Sequence, residues 1–93
     1  MGIHHDNSHE LRDFTVVIDA ADGSLIIGRF KEQDDTHAVL QDADTHQEGK
    51  GGKSNAEWLE AAAKWGHWPR IKQLRVPLAD IKQLRRLGDI AKA

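Results

Sequence analysis

The chain has 93 residues, no cysteine and a formal net charge of −2 at pH 7. This length is typical of one small domain, and the lack of cysteine excludes disulfide bonds and thiolate metal sites. No apolar run is long enough to cross a membrane and no apolar leader follows the first residues, so we expect a soluble, cytoplasmic protein.

Charge is distributed unevenly along the sequence. Residues 1–48 carry eleven acids and three bases, whereas residues 70–93 carry seven bases and two acids. A basic end on an acidic body suits either an anionic partner or a second copy of the same chain. The composition leaves both alternatives open.

The N-terminal third predicts a β-hairpin. Residues 1–10 are polar and histidine-rich and are expected to be frayed, and a single domain is expected over residues 11–93. Apolar and polar residues alternate over residues 14–19, which is typical of a strand. Asp22-Gly23 then predicts a tight turn, because glycine adopts positive φ without steric cost.

Two further strands are expected after this turn. The second runs from about Leu25 to Glu32 and contains an internal glycine, Gly28, which predicts a sharp bend. A turn at residues 34–36 leads into a short third strand over residues 37–42. The polar, glycine-bearing segment that follows, up to residue 54, is predicted to be a loop.

A helix is predicted over residues 54–66. Ser54 and Glu57 have the spacing of a capping box, and Gly66 stands where a left-handed stop is expected. Trp58 and Trp65 recur on one face at helical spacing, so both are predicted to be buried, with Trp68 beyond the helix end and available to a partner.

The C-terminal region predicts two more strands. Residues 70–76 form the fourth, Pro77 to Asp80 form a tight turn, and residues 81–87 form the fifth. Leu78, Ile81, Leu84 and Leu87 recur every third residue, so a helix over 78–87 remains the alternative.

A resemblance to a known family follows from the motif around the bent second strand. The matching positions are Asp22-Gly23, Gly28, Phe30, Asp34, His37 and Val39 to Ala43. This pattern resembles the first motif of the Sm-like proteins, small barrels that assemble into RNA-handling rings. The resemblance implies a mainly β fold, a five-stranded Sm-like or SH3-like barrel with one helix inserted between strands 3 and 4.

The same resemblance implies an RNA site. The loop of Asp34, Asp35 and His37 corresponds to the base-contacting loop of the family, although histidine replaces the family's asparagine. The second family motif, Arg-Gly, is represented only by Arg75-Val76-Pro77. Further phosphate contacts are expected from the basic C-terminal strands, at Arg75, Arg85 and Arg86.

The other motifs of the sequence do not predict a phosphate-binding, metal or catalytic site. Gly49 to Ser54 has the composition of a phosphate-binding loop, but Gln47 replaces its first glycine. The six histidines lack the spacing of a zinc site, and no nucleophile or paired catalytic acid is evident. We therefore expect no enzymatic activity, no metal, no cofactor and no small-molecule substrate.

Two functions follow from the sequence. The first is an interaction module that self-associates, with a ring as one form, and Trp58, Trp65 and Trp68 are its candidate interface residues. The second is an RNA-binding ring that uses the 34–37 loop and the basic strands. The base-contacting positions are the ones that diverge from the family, which favours the first.

Overall fold

The computed structural model of the protein describes residues 12–91, so the predicted frayed segment at residues 1–10 lies outside the described residues. The described chain folds mainly into β-strands: β1 (Thr15–Ala20), β2 (Leu25–Gln33), β3 (His37–His46), β4 (Ile71–Pro77) and β5 (Ile81–Arg86). Two α-helices accompany them, α1 (Asn55–Trp65) and α2 (Leu87–Ala91), with 3₁₀ turns at Lys50–Gly52 and Leu78–Asp80.

All five strands form one antiparallel sheet in the order β4-β3-β2-β1-β5. The mainly β fold with one principal helix between strands 3 and 4 is therefore confirmed. The sheet is bent but not closed. Within the described residues, β4 pairs only with β3 and β5 pairs only with β1, which leaves the outer edge of each strand open.

The sheet bends where β2 pairs with β3 around Gly28. Ile27 pairs with Asp44 and Arg29 with Gln41, so β3 contains one extra residue over this interval. Asp42 accommodates this bulge with a left-handed φ of 52°. Such a bulge increases the local twist of a strand pair, which curls the sheet around its interior. The bend predicted at Gly28 is thus present, and the bulge at Asp42 of β3 accompanies it.

The central strands are buried on both faces. Val16, Val17 and Ile18 are each fully buried, although consecutive residues of a strand point to opposite faces. We call the side that carries Val16 the inner face and the side that carries Val17 the outer face. The inner core also contains Ile18, Ile26, Phe30, Leu40 and Val76, whereas the outer core joins Leu25 and Ile27 to Trp58 and Leu59 of α1 and to Leu87 and Ile90 of α2.

Helix α1 begins and ends where the sequence predicts. The Ser54 hydroxyl accepts a hydrogen bond from the Glu57 N–H at 3.1 Å, and the Glu57 carboxylate accepts one from the Ser54 N–H at 3.0 Å. Gly66 ends the helix with a φ of 85°. The hydrogen bond from the Ser54 backbone N–H, with a smaller contribution from the Ser54 side chain, favours the ionised Glu57 carboxyl group and lowers its pKa.

Three predictions about secondary structure need comment. β3 continues to His46, beyond its predicted end at residue 42, because Thr45 and His46 pair with β2. The segment at residues 81–86 is a strand, so the helical alternative is wrong, but Leu87 begins α2, which was not predicted.

Among residues 12–91 no helix combines the length and the apolar character needed to span a membrane.

Candidate functional site

The loop of residues 34–37 is built around the carboxylate of Asp34. Its Oδ1 accepts hydrogen bonds from the N–H groups of Thr36 at 2.8 Å and His37 at 2.7 Å, and from the Thr36 hydroxyl at 3.1 Å. Because all three favour the ionised carboxylate, with the Thr36 N–H contributing most, the pKa of Asp34 is lowered from its ordinary value of 3.8. The loop is therefore a well-ordered turn.

Four of the six predicted RNA-binding residues, Asp34, Asp35, His37 and Arg75, lie at this loop. The imidazole Nδ1 of His37 lies 2.8 Å from the Thr36 hydroxyl, which orients the ring. Arg75 Nη2 lies 4.0 Å from Asp34 Oδ2, because β4 pairs with the start of β3. The Leu78 N–H donates to the Thr36 carbonyl at 2.8 Å and joins the loop to the end of β4. Asp35 is exposed in the same turn.

The other two predicted RNA-binding residues lie on β5, at the opposite edge of the sheet. The Arg85 guanidinium contacts both carboxylate oxygens of Asp19, at 3.1 and 3.3 Å. Arg86 pairs with Asp89 at 3.1 Å, and its guanidinium lies 5.3 Å from the ring centre of Phe14. The structure thus brings Arg75 to the 34–37 loop and places Arg85 and Arg86 apart from it.

Each arginine of the predicted phosphate contacts is partnered by an aspartate in the monomer. All three arginine side chains are between 34% and 58% exposed. Exposed pairs of this kind contribute only about 0–1 kcal/mol, so an incoming anion can compete for the arginine. The pairing lowers the positive potential of the basic end.

In the glycine-rich loop before α1, most backbone N–H groups are hydrogen-bonded within the chain. The N–H groups of Gly49, Lys50, Gly52 and Lys53 donate to neighbouring backbone carbonyls. At the helix start, the Asn55 N–H donates to the Glu48 carboxylate at 3.1 Å. With carboxylates of Glu48 and Glu57 already at the helix N-terminus, an added phosphate would meet two negative charges. This geometry disfavours the phosphate-loop interpretation.

A second surface lies between α1 and the outer face of β3. His46 is buried and stacks on Trp58, with ring centres 5.0 Å apart and an interplanar angle of 12°. His46 Nε2 lies 3.0 Å from the Lys53 carbonyl and must donate to it, because a carbonyl oxygen only accepts. His67 Nε2 likewise donates to the Asp42 carbonyl at 2.6 Å.

Beside these contacts lies a cleft of about 360 Å³, which we call the tryptophan cleft and which is lined by residues that include Asp44, Trp58, Trp65, His67, Trp68 and Arg70. Trp58 is half-buried within it, whereas Trp65 and Trp68 are 83% and 73% exposed at its rim. The predicted burial of Trp65 is therefore wrong, and the predicted exposure of Trp68 is confirmed. The Asp44 carboxylate is buried in the cleft and lies 3.5 Å from the exposed Arg70 guanidinium.

Sequence reasoning missed the residues on β3 that shape this cleft. Asp44 and His46 lie in a segment predicted to be a loop, and their partners lie more than ten residues away at Trp58 and Arg70. The alternation of Asp42, Asp44 and His46 was the available signal, since such spacing places side chains on one face of a strand. Within residues 12–91, no group of three or more histidine, aspartate or glutamate side chains is arranged to hold a metal ion.

Comparison with known proteins identifies the fold. No family model and no curated protein matches the sequence. The Sm protein of Pyrococcus abyssii, solved with a uridine heptamer, matches 85% of this chain and 90% of its own, with a TM-score of 0.58 and 18% identity. The chain has an Sm-like fold.

A second solved structure contains a chain of similar fold. A chain of the NatC complex bound to CoA matches 99% of this chain and 96% of its own, with a TM-score of 0.60 and 12% identity. At these identities the likeness concerns the fold alone. Sm-like folds of this size serve different functions, so the function must be argued from the surfaces of this chain.

Proposed function

We propose that this protein is a non-enzymatic, cytoplasmic interaction module that binds copies of itself through the open edges of its sheet. The supporting observation is the strand order, with β4 at one end and β5 at the other. An open edge presents a row of unpaired backbone N–H and C=O groups, which another strand can satisfy. Pairing of one copy's β5 with the next copy's β4 is head-to-tail, and such contacts form rings where the rotation closes.

The hydrogen-bond pattern identifies the free groups on β4. The Leu78 N–H donates to the Thr36 carbonyl, and alternate residues of an antiparallel ladder share this orientation. Counting back along the register, Leu74 and Val76 face β3, whereas Gln73 and Arg75 direct their backbone groups outward. Pro77 is also at an outward position, where its missing N–H breaks no bond with β3.

Charge on the two edges sets the salt dependence of this association. Arg75, Arg85 and Arg86 are each paired with an aspartate, whereas Lys72 on β4 and Lys82 on β5 take part in no ion pair within the described residues, so each edge retains a positive charge. Two basic edges repel one another, and salt screens exposed charges over a Debye length of about 10 Å at 0.1 M. Self-association is therefore expected to strengthen as the salt concentration rises.

Light scattering coupled to size-exclusion chromatography tests the proposal. We expect oligomers whose population grows with protein concentration and with salt. Gln73→Pro removes one outward N–H and should reduce association, whereas the matched Gln73→Ala retains that N–H and should not. A protein that stays monomeric at high concentration and high salt would overturn the proposal.

Membership of a chain with this fold in the NatC complex also favours an interaction role. A small Sm-like domain can serve as one component of a larger protein assembly, with its edges and exposed aromatics as contacts. The exposed indoles of Trp65 and Trp68 suit this role, since tryptophan and arginine are enriched where binding energy is concentrated.

RNA binding is the second candidate function, favoured by the meeting of Asp34, His37 and Arg75. The ordered loop presents an imidazole beside a guanidinium, which can stack on a base and contact a phosphate. Titration with uridine-rich and adenine-rich oligonucleotides at several salt concentrations distinguishes this function. RNA binding weakens as salt rises, the opposite of the trend expected for self-association, and Arg75→Ala should reduce the log–log slope by about 1.

A further inference from the structure

Exposed aromatic side chains occupy two separate places on the molecule. Among residues 12–91, the exposed large apolar side chains are Phe14 at 47%, Trp65 at 83% and Trp68 at 73%. Phe14 precedes β1, whereas Trp65 and Trp68 lie between α1 and β4, at the rim of the tryptophan cleft. Exposed apolar area of this kind marks a contact surface when it adjoins an edge that is open to pairing.

Phe14 lies on the inner face at the C-terminal end of β5. Val16 belongs to the inner core and pairs with Arg86, so Arg86 shares its face. Phe14 precedes Val16 by two residues, which places it on the same side of β1. The guanidinium of Arg86 over the Phe14 ring, at 5.3 Å, joins the two side chains into one patch.

The tryptophan cleft lies on the outer face at the N-terminal end of β4. Its Asp44 pairs with Ile27, which belongs to the outer core. Arg70, which also lines the cleft, immediately precedes the first residue of β4. The cleft and the Phe14–Arg86 patch therefore occupy opposite faces and opposite edges of the sheet.

Strand direction determines how these surfaces meet between copies. Neighbours alternate in direction along the order β4-β3-β2-β1-β5, so β4 and β5 run the same way in the unrolled sheet. A second copy that pairs its β4 antiparallel to β5 must therefore be turned over. The inner face of the first copy then continues as the outer face of the second, and the end of β5 lies beside the start of β4.

We propose that Phe14 and Arg86 of one copy occupy the tryptophan cleft of the next. This inference rests on the proposed self-association and names the side chains that complete the junction. The Phe14 ring would pack against the exposed indoles of Trp65 and Trp68, in the offset or edge-on arrangements that aromatic pairs prefer. The Arg86 guanidinium would contribute a cation–π contact with an indole, as it does with Phe14 within the monomer.

The absence of native cysteine permits a direct test. Phe14→Cys and Trp68→Cys proteins are mixed at equal concentrations, far above the concentration at which the wild type associates so that edge pairing persists without the Phe14 ring, and treated with a short bismaleimide. The matched control replaces Trp68→Cys with Ala79→Cys, an exposed residue between β4 and β5 at the far end of β4. We expect several-fold more cross-linked dimer from the first mixture than from the control, with circular dichroism verifying that each variant is folded.

Each result separates this inference from the proposed function. Self-association of the wild type without a preferred Phe14–Trp68 cross-link would overturn the inference and leave edge pairing standing. Preferential cross-linking of Trp68→Cys to itself would indicate a symmetric interface and would also overturn it. A wild-type protein that is monomeric throughout would overturn both proposals.

A measurement without cysteine variants supports the cross-linking. On self-association of the wild type, tryptophan emission should shift to shorter wavelength as the cleft loses water. Phe14→Ala should weaken association at least tenfold and suppress this shift, whereas Lys64→Ala, at an exposed position in the last turn of α1, should change neither. An unchanged shift in Phe14→Ala would contradict the proposed contact.

Discussion

Gly28 and Ala43 approach so closely across β2 and β3 that a Cβ atom on Gly28 would lie 3.0 Å from the Cβ of Ala43. The same atom would lie 3.0 Å from the Leu40 Cβ. Both neighbours are attached directly to the β3 backbone, so neither can move without shifting the strand. Glycine at this position therefore allows β2 and β3 to approach this closely, and a larger residue would have to displace β3 by a few tenths of an ångström.

Gly28→Ala should destabilise the fold by about 1–3 kcal/mol, the usual cost of overpacking a core. Chemical denaturation measures the loss. Gly88→Ala is the matched control, because its added methyl would meet nothing within 4 Å, and alanine favours a helix such as α2. Equal stability of the two variants would show that the contact between β2 and β3 relaxes freely.

Ser54→Ala should reduce stability by about 1 kcal/mol, because it removes the side-chain acceptor for the Glu57 N–H at the start of α1. Ser54→Asp should retain most of the stability, since aspartate is an equally good N-cap residue. Thermal unfolding of the three proteins distinguishes them. A Ser54→Asp protein as unstable as Ser54→Ala would indicate that the hydroxyl acts in some way other than capping.

Acid should loosen the 34–37 loop. The folded state lowers the pKa of Asp34 through the hydrogen bonds of Thr36 and His37, so the ionised form stabilises the fold. This contribution is complete above the ordinary value of 3.8 and is lost as the pH falls through the lower folded-state pKa. Amide NMR shifts of Thr36 and His37, followed as the pH falls below 3.8, should report the transition.

Asp34→Asn should remove this acid transition and loosen the loop at neutral pH. Asp35→Asn is the matched control in the same turn, and it should leave the amide shifts of Thr36 and His37 following pH as in the wild type. Persistence of the transition in Asp34→Asn would mean that another group controls the loop.

Trp58→Ala and Trp65→Ala should differ sharply in stability although both residues lie on α1. Trp58 packs against the outer core and His46, so its loss should cost about 2–4 kcal/mol, somewhat below the usual range for a fully buried tryptophan. Trp65 is 83% exposed, so its loss should change the stability of the monomer by less than about 0.5 kcal/mol. Denaturation at low protein concentration measures both, and similar losses would contradict the packing described for α1.

Local signals predicted the ends of elements well. Ser54, Glu57 and Gly66 bound α1 because capping and left-handed termination depend on a few adjacent backbone groups. Pro77 is the last residue of β4 for an equally local reason, because its ring fixes φ, here at −58°, at the entrance to the 3₁₀ turn Leu78–Asp80. The Sm-like motif located the bend at Gly28 and the ordered turn at Asp34, since both are set by residues within one hairpin.

Long-range contacts account for what the sequence did not predict. The polar end of β3 is a strand because Thr45 and His46 pair with apolar residues of β2, which overrides their weak local preference. Helical spacing predicted that Trp65 is buried beside Trp58. Trp65 is instead the last residue of α1, before Gly66, and its side chain is exposed. The separation of Arg85 and Arg86 from the 34–37 loop follows from the strand order, which short motifs do not encode.

Burial of β1 on both sides has a consequence for hydrogen–deuterium exchange. The amides of Val16, Val17 and Ile18 are flanked by paired strands and covered above and below by packed side chains. Solvent reaches such amides only when the whole domain opens, so their protection should report global unfolding free energy. Amides at the rims of the sheet should exchange through smaller fluctuations, and those that slow down on oligomer formation would map the junction residue by residue.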